Sequence, residues 1–311
     1  MKKEILINLK RFEVHRDKGG VCDVANPGEW IIQTVAGILA KGFGQSDDYN
    51  LTIFVPDVLL PFALEKAWAV PAKSKPYFAI GSQSCHYADV AKGRNFGAFT
   101  SHNIASTQAA IGAKASIIGH CEDRNGLRFA MEQFAGEKGM KDAGFDARAN
   151  ETVSAIIGKK MVCARAAGMC AVLCIGETAV QQGEGPLEAQ KPRIEAVLRT
   201  QLQKGLSEVA GTLDPESVII AYEPVWAIGP GKTPPDEAYV AYVSAFIKEA
   251  TKEILGFPAK VVYGGGLKSD NAAMLAGINT LDGGLIALTN FTPPIGFDVD
   301  ELERILKLYT A

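Results

Sequence analysis

Eight short runs of consecutive apolar residues punctuate this chain, and longer segments with helical spacing separate them. The runs fall at Glu4–Leu9, Leu51–Val55, Tyr77–Ser82, Ala115–Gly119, Cys170–Cys174, Ser217–Tyr222, Ala259–Tyr263 and Gly283–Ala287. Continuous rather than alternating apolar character marks strands buried on both faces, as in a parallel sheet. Helical periodicity is clear over Val153–Ala167, Gln190–Val209 and Asp236–Leu255. Eight such alternations in 311 residues predict an α/β fold of the (β/α)8 barrel type, one domain over residues 1–311. An open doubly wound sheet would carry a Gly-rich fingerprint after its first strand. That place holds Asn8-Leu9-Lys10. Two connections are expected to be enlarged loops, at about 11–29 after the first strand and about 125–150 after the fourth. The second carries glycines at 126, 136, 139 and 144. Long βα connections in compact domains are commonly functional or mobile.

Charge and composition exclude several classes. The net charge is −3 with no basic run, so nucleic acid is not an expected partner. Met1–Leu9 holds an apolar patch over Ile5–Leu9 that Asn8 interrupts, too short for a signal peptide or a membrane span. The six cysteines (22, 85, 121, 163, 170 and 174) lack Cys-x-x-Cys spacing. They read as reduced thiols of a cytoplasmic protein, with Cys170 and Cys174 in the core and no zinc indicated. No cofactor is expected.

Barrels place reacting groups at the C-terminal ends of their strands. The first strand ends in Asn8 and Lys10, the fourth in His120 and Glu122, and the sixth in Glu223. A cation, an imidazole and two carboxylates around one mouth suit proton transfer next to a carbonyl. A carboxylate removes the proton, an imidazole polarises the oxygens and an ammonium stabilises the enediolate. Taken singly, Lys10 also reads as a solvated strand-end lysine, His120 as a structural histidine and Glu122 as an ion-pair partner. Glu223 stands out because Pro224 stiffens the backbone beside it and Trp226 is placed to shield it from water. A mobile Gly229-Pro230-Gly231 follows, giving a carboxylate beneath a hinged loop.

At these residues the sequence resembles the triosephosphate isomerase family. Ala221–Thr233 is similar to that family's signature almost letter for letter, with Pro230 where threonine is usual. Ile118-Gly119-His120-Cys121-Glu122-Asp123-Arg124, Asn8-Leu9-Lys10 and Cys174-Ile175-Gly176-Glu177 resemble three further motifs. Gln83, Tyr263-Gly264-Gly265 and Asp282-Gly283 also fall in register. The resemblance implies Glu223 as the base, His120 as a neutral electrophile, Lys10 as the electrostatic partner, Asn8 as a donor to substrate and Glu122 as a supporting carboxylate. It implies Gly229 and Gly231 as the lid tip closing on phosphate. In that family a neutral histidine, a glutamate base and a water-excluding loop act together, so these roles come with the resemblance.

The phosphate grip departs from the family pattern. Gly265 is retained, but Gly266 replaces a serine, and Ala287-Leu288 replaces a glycine pair whose N–H groups bind the phosphate. Thr289 and Asn290 follow as candidate replacement donors. Pro230 is expected to stiffen the lid tip by restricting φ. Cys121 stands for serine, and Asp123 for arginine, so that an ion pair is lost or inverted. Ser101-His102 stands where Gly-Glu is usual in the third loop, which in family dimers enters the partner subunit. The resemblance therefore implies a homodimer with an altered interface, and His102 reads as an interface or surface residue. The leading reading is a cofactor-free isomerase of a small phosphorylated sugar, dihydroxyacetone phosphate to D-glyceraldehyde 3-phosphate. A four-carbon ketose phosphate isomerase and a weakly catalytic sugar-phosphate binder are the alternatives.

Overall fold

The computed structural model describes residues 2–229 and 231–311. Eight parallel strands close into a barrel in sequence order. They are β1 Lys3–Asn8, β2 Tyr49–Val55, β3 Phe78–Ser82, β4 Ala115–Ile118, β5 Cys170–Ile175, β6 Val218–Tyr222, β7 Lys260–Tyr263 and β8 Gly283–Ile286. The helices are α1 Pro27–Ala40, α2 Leu60–Trp68, α3 Ala105–Ala110, α4 Cys121–Met140, α5 Phe145–Ala166, α6 Ala179–Gln182, α7 Leu187–Leu206, α8 Glu237–Leu255, α9 Ala272–Ala276 and α10 Val299–Thr310. Closure is made where Ile7 of β1 pairs with Ile53 on one side and Ile286 on the other.

The apolar runs become strands because both of their faces are covered. Leu6, Phe54, Ile117, Val172, Cys174, Ile219, Val262 and Leu285 form a cluster of inward residues. Their neighbours Ile5, Ile7, Ile53, Val55, Leu173 and Ile220 belong to a second core shared with the helices. Side chains alternate across a strand, so apolar residues at both parities are what a filled barrel beneath a helical coat requires. Cys174 is fully buried, as expected. Cys170 sits lower in the barrel and is half-buried.

The connection after β1 is an ordered excursion. His15 bridges to Cys22, Arg16 pairs with Asp23 at 2.5 Å, and Arg16 Nη2 donates to Ile295 O at 3.0 Å. The first loop is thereby tied to the eighth. Asn26 then caps α1 by accepting from Gly28 N.

The connection after β4 differs from expectation: residues 125–150 are largely helical rather than a loop. α4 runs through Gly126 and Gly139, and only Gly136 departs from helical angles (φ 62°, ψ 176°). Glycine inside a helix costs about 1 kcal/mol, which neighbouring contacts can offset. Arg128 does so here, bonding Glu132 at 2.8 Å, Asn150 at 3.2 Å, and Asp146. α4 buries no residue fully, so no apolar stripe announced it.

The inner end of this excursion answers the question about Asp123. Lys160 of α5 donates to both Asp123 oxygens at 2.8 Å and to Ser84 Oγ at 3.1 Å. The pair is inverted, with the acid on α4 and the cation on α5. Its side chains are only 10% and 21% exposed. Lys160→Met, which strands the carboxylate, is expected to lower unfolding free energy by about 3 kcal/mol. Urea denaturation checks this; adding Asp123→Asn should recover part of the loss.

Candidate active site

The end of β1 is built around a buried amide. Asn8 Oδ1 accepts from Lys10 N at 3.0 Å and from Gln83 Nε2 at 3.1 Å. Gln83 Nε2 also reaches Lys10 O at 3.0 Å and Phe54 O at 3.3 Å. Two donors on the oxygen set the amide's orientation, and Asn8 Nδ2 meets no acceptor among the described residues. The same clamp holds Lys10 at φ 43°, the left-handed region that costs a non-glycine residue roughly 1–2 kcal/mol.

His120 ends β4 and caps α4, its Nδ1 accepting from Glu122 N at 3.3 Å. A ring nitrogen that accepts carries no proton, so in the neutral ring the N–H is on Nε2. That atom lies 3.3 Å from Glu223 Oε1. Glu223, 3% exposed, accepts from Cys121 N at 3.2 Å through its other oxygen. Burial pushes its carboxyl above the ordinary 4.5, opposed by His120, the Cys121 N–H, Lys10 and Arg124. Only glycine fits at 264, because a Cβ there would lie 2.9 Å from Glu223 Cγ.

His120, Cys121 and Glu223 bring three potential metal-ligand atoms within 4.8 Å of one another. Cys121 Sγ is 3.8 Å from Nδ1 and 3.9 Å from Nε2, nearly equidistant from the two ring nitrogens. Burial raises its thiol to about 11, which keeps it protonated at neutral pH. The arrangement suits proton transfer better than ligation.

Glu122 stays outside the cluster. It is exposed, its carboxylate makes no hydrogen bond or ion pair among the described residues, and only its N–H takes part. The Trp226 indole is held by Glu177. Its Nε1 donates to Glu177 Oε1 at 2.7 Å, which also accepts from Tyr222 at 2.9 Å and Tyr239 at 2.7 Å. Glu177 is fully buried and Oε2 has no partner among the described residues, so burial raises its pKa.

Past β7, Gly266 has φ 99°, and neither Gly265 nor Gly266 N–H meets an acceptor among the described residues. Ala287 and Leu288 follow β8 half-buried. The side chains of Thr289 and Asn290 are engaged within their own loop. Thr289 Oγ1 bonds Asp298 O at 2.8 Å and Asp298 N at 2.6 Å. Asn290 Nδ2 reaches Pro294 O, while its Oδ1 holds Thr292. Both side chains fold the eighth loop on itself, with Asn290 bridged to Gly296. After β6, Gly229 and Gly231 are exposed with φ 121° and 75°; the stiffening expected of Pro230 lies outside the described residues.

A family model described as triosephosphate isomerase matches residues 32–294. The chain belongs to the triosephosphate isomerase family. The triosephosphate isomerase of Oleidesulfovibrio alaskensis is 33% identical over 255 residues, covering 81% of this chain and 85% of that protein. That of Chlorobium phaeovibrioides is 36% identical over 209 residues, covering 66% and 68%. A crystal structure of triosephosphate isomerase from Bartonella henselae covers all of both chains with TM-score 0.68 at 24% identity, which shows the shared fold.

Two supporting residues went unread in the family motifs. Arg124 buries its guanidinium, donating to Gly119 O and Cys174 O at 2.8 Å each, and so ties the His120 turn to β5. Glu177 gathers the lid's tryptophan and two tyrosines. Their motifs signalled both positions, but their partners come from distant strands.

Proposed function

We propose that this chain interconverts dihydroxyacetone phosphate and D-glyceraldehyde 3-phosphate by proton transfer through Glu223. The observation that carries the reading is the buried Glu223 carboxylate on the Cys121 N–H, with His120 Nε2 3.3 Å away. Glu223 takes the proton from the carbon beside the carbonyl and returns it to the neighbouring carbon. His120 Nε2–H and Asn8 Nδ2 donate to the two oxygens as charge moves onto them, and the Lys10 ammonium stabilises the enediolate. A carboxyl raised by burial is a stronger base once ionised, which suits abstraction from carbon. The lid glycines 229 and 231 close over the phosphate and keep water from the enediolate.

The four-carbon and binding-only readings are not favoured, since the matching family model and the curated relatives are those of triosephosphate isomerase. Purified protein assayed on both triose phosphates and on a four-carbon ketose phosphate is expected to show the higher kcat/KM for the trioses. Turnover of the four-carbon sugar alone would overturn the substrate, and no turnover at all the reaction.

The third loop supports a dimeric reading. Tyr87, Val90 and Phe96 are exposed on it, and exposed His102 stacks on His86 at 3.9 Å. An apolar edge of this kind fits packing against a second copy. The reading retains a cytoplasmic setting, in keeping with six free cysteines. No helix among the described residues is long and apolar enough to cross a membrane.

A further inference from the structure

The seventh and eighth loops lack the usual phosphate donors, yet one cation stands between them. Lys268 follows Gly266 by two residues and is half-buried. Its Cε lies 3.9 Å from the point where a Cβ on Gly266 would sit. Its stem thus lies in van der Waals contact with the point where a side chain at 266 would begin. Its Nζ lies 4.7 Å from the centroid of the Phe291 ring on the eighth loop. Among the described residues it has no carboxylate partner within ion-pair distance and no hydrogen bond from its ammonium.

The backbone fixes the base of this lysine. Lys268 N donates to Asn271 Oδ1 at 2.8 Å, Asn271 Nδ2 donates to Gly266 O at 3.0 Å, and Leu267 between them is buried. The loop is therefore closed around Asn271, while the unengaged Gly265 and Gly266 N–H groups lie on the same short segment. We propose that the Lys268 ammonium, with those two N–H groups, is the phosphate-binding element of this site. The inference rests on the isomerase reading and names the group that holds the substrate's charged end.

The chemistry follows from what loops seven and eight contain. Ala287 and Leu288 place Cβ atoms where a glycine pair would let backbone approach an anion closely. A lysine needs no close backbone approach, because its flexible stem carries a full charge to the anion. The Phe291 face steadies the ammonium without neutralising it, leaving its charge for a phosphate dianion. Thr289 and Asn290, the other polar side chains at this end, are committed within their own loop.

The test uses the full-length protein and reads phosphate recognition apart from turnover. Binding of inorganic phosphate and of 2-phosphoglycolate is measured calorimetrically for wild type, Lys268→Met, Lys268→Arg and Phe291→Leu, with melting temperatures alongside. Lys268→Met is expected to weaken both ligands and raise KM by about tenfold to a hundredfold, the loss typical of one charge-assisted hydrogen bond. kcat should change far less, because the contact is made equally in ground and transition states. Lys268→Arg should restore most of the affinity, and the salt dependence of binding should be shallower in Lys268→Met. Ligand affinity within twofold of wild type in Lys268→Met would overturn the inference. So would a loss that Phe291→Leu reproduces in full with a matching fall in melting temperature, since Lys268 would then only brace the loops. Lys268-dependent phosphate binding in a protein without isomerase activity would contradict the isomerase reading while upholding the phosphate site. Isomerase activity independent of Lys268 would do the reverse.

Discussion

Glu223→Gln is expected to lower kcat on the order of 10³-fold or more while the protein stays folded. Glutamine is close to glutamate in shape and can still accept from the Cys121 N–H through its amide oxygen, so the change removes basicity with little change in packing. The same substitution has a stability signature whose sign follows from burial. Glu223's folded-state pKa lies above 4.5, so the folded protein holds that proton more tightly than the unfolded chain. Below the unfolded value the group imposes no cost. Stability falls as pH rises between the unfolded and folded pKa values, and the full cost remains above them. Glu223→Gln should therefore be the more stable protein at pH 7, with the advantage shrinking as pH falls through the raised folded-state pKa and gone below 4.5. Catalysis has the opposite dependence: wild-type kcat/KM should fall on the acid side through a pKa above 4.5. Denaturation midpoints across pH, set beside the pH–rate profile, check both halves.

Lys10→Met is the second large effect, a loss of roughly 10²- to 10³-fold in kcat, the usual cost of removing one electrostatic contact to a developing oxyanion. Methionine keeps the stem and the left-handed backbone strain, so stability should hold within about 0.5 kcal/mol. Lys10→Gly separates the two properties further. It relieves a φ of 43°, worth roughly 1–2 kcal/mol before glycine's entropy offsets part of it, yet abolishes the charge. Strain at a reacting residue that persists only because Asn8 and Gln83 clamp its N–H and C=O is the pattern expected where geometry serves chemistry. A Lys10→Gly protein that keeps full activity would remove the ammonium from the account.

The barrel was readable in the sequence because its strands are buried on both faces, which writes them as apolar runs from Ile5 to Leu285. Their ends shifted by no more than a residue or two, since hydrogen bonding rather than apolarity sets where a strand stops. α4 was not readable. It carries three glycines, at 126, 136 and 139, in place of an apolar stripe, and Arg128 holds it through polar contacts. The reacting side chains were visible as strand ends, whereas their orientation was not. Trp226 turned to Glu177 because a buried carboxylate can gather several donors, and Thr289 and Asn290 turned inward because the loop over residues 287–298 must satisfy its own backbone. Glu122 followed the motif but lies outside the cluster, because at the first turn of α4 its backbone, not its carboxylate, meets His120.

In the proposed reaction a proton leaves substrate carbon, rests on Glu223 and returns to the adjacent carbon. Isomerisation of dihydroxyacetone phosphate in D2O, followed by NMR, tests it directly. A proton held by a carboxylate can exchange with solvent before its return, so the product should carry deuterium at the carbon next to the aldehyde. Both turnover and label should collapse together in Glu223→Gln. Isomerisation with no solvent label at all, as a direct hydride shift would give, or labelling that survives in Glu223→Gln, would contradict the account.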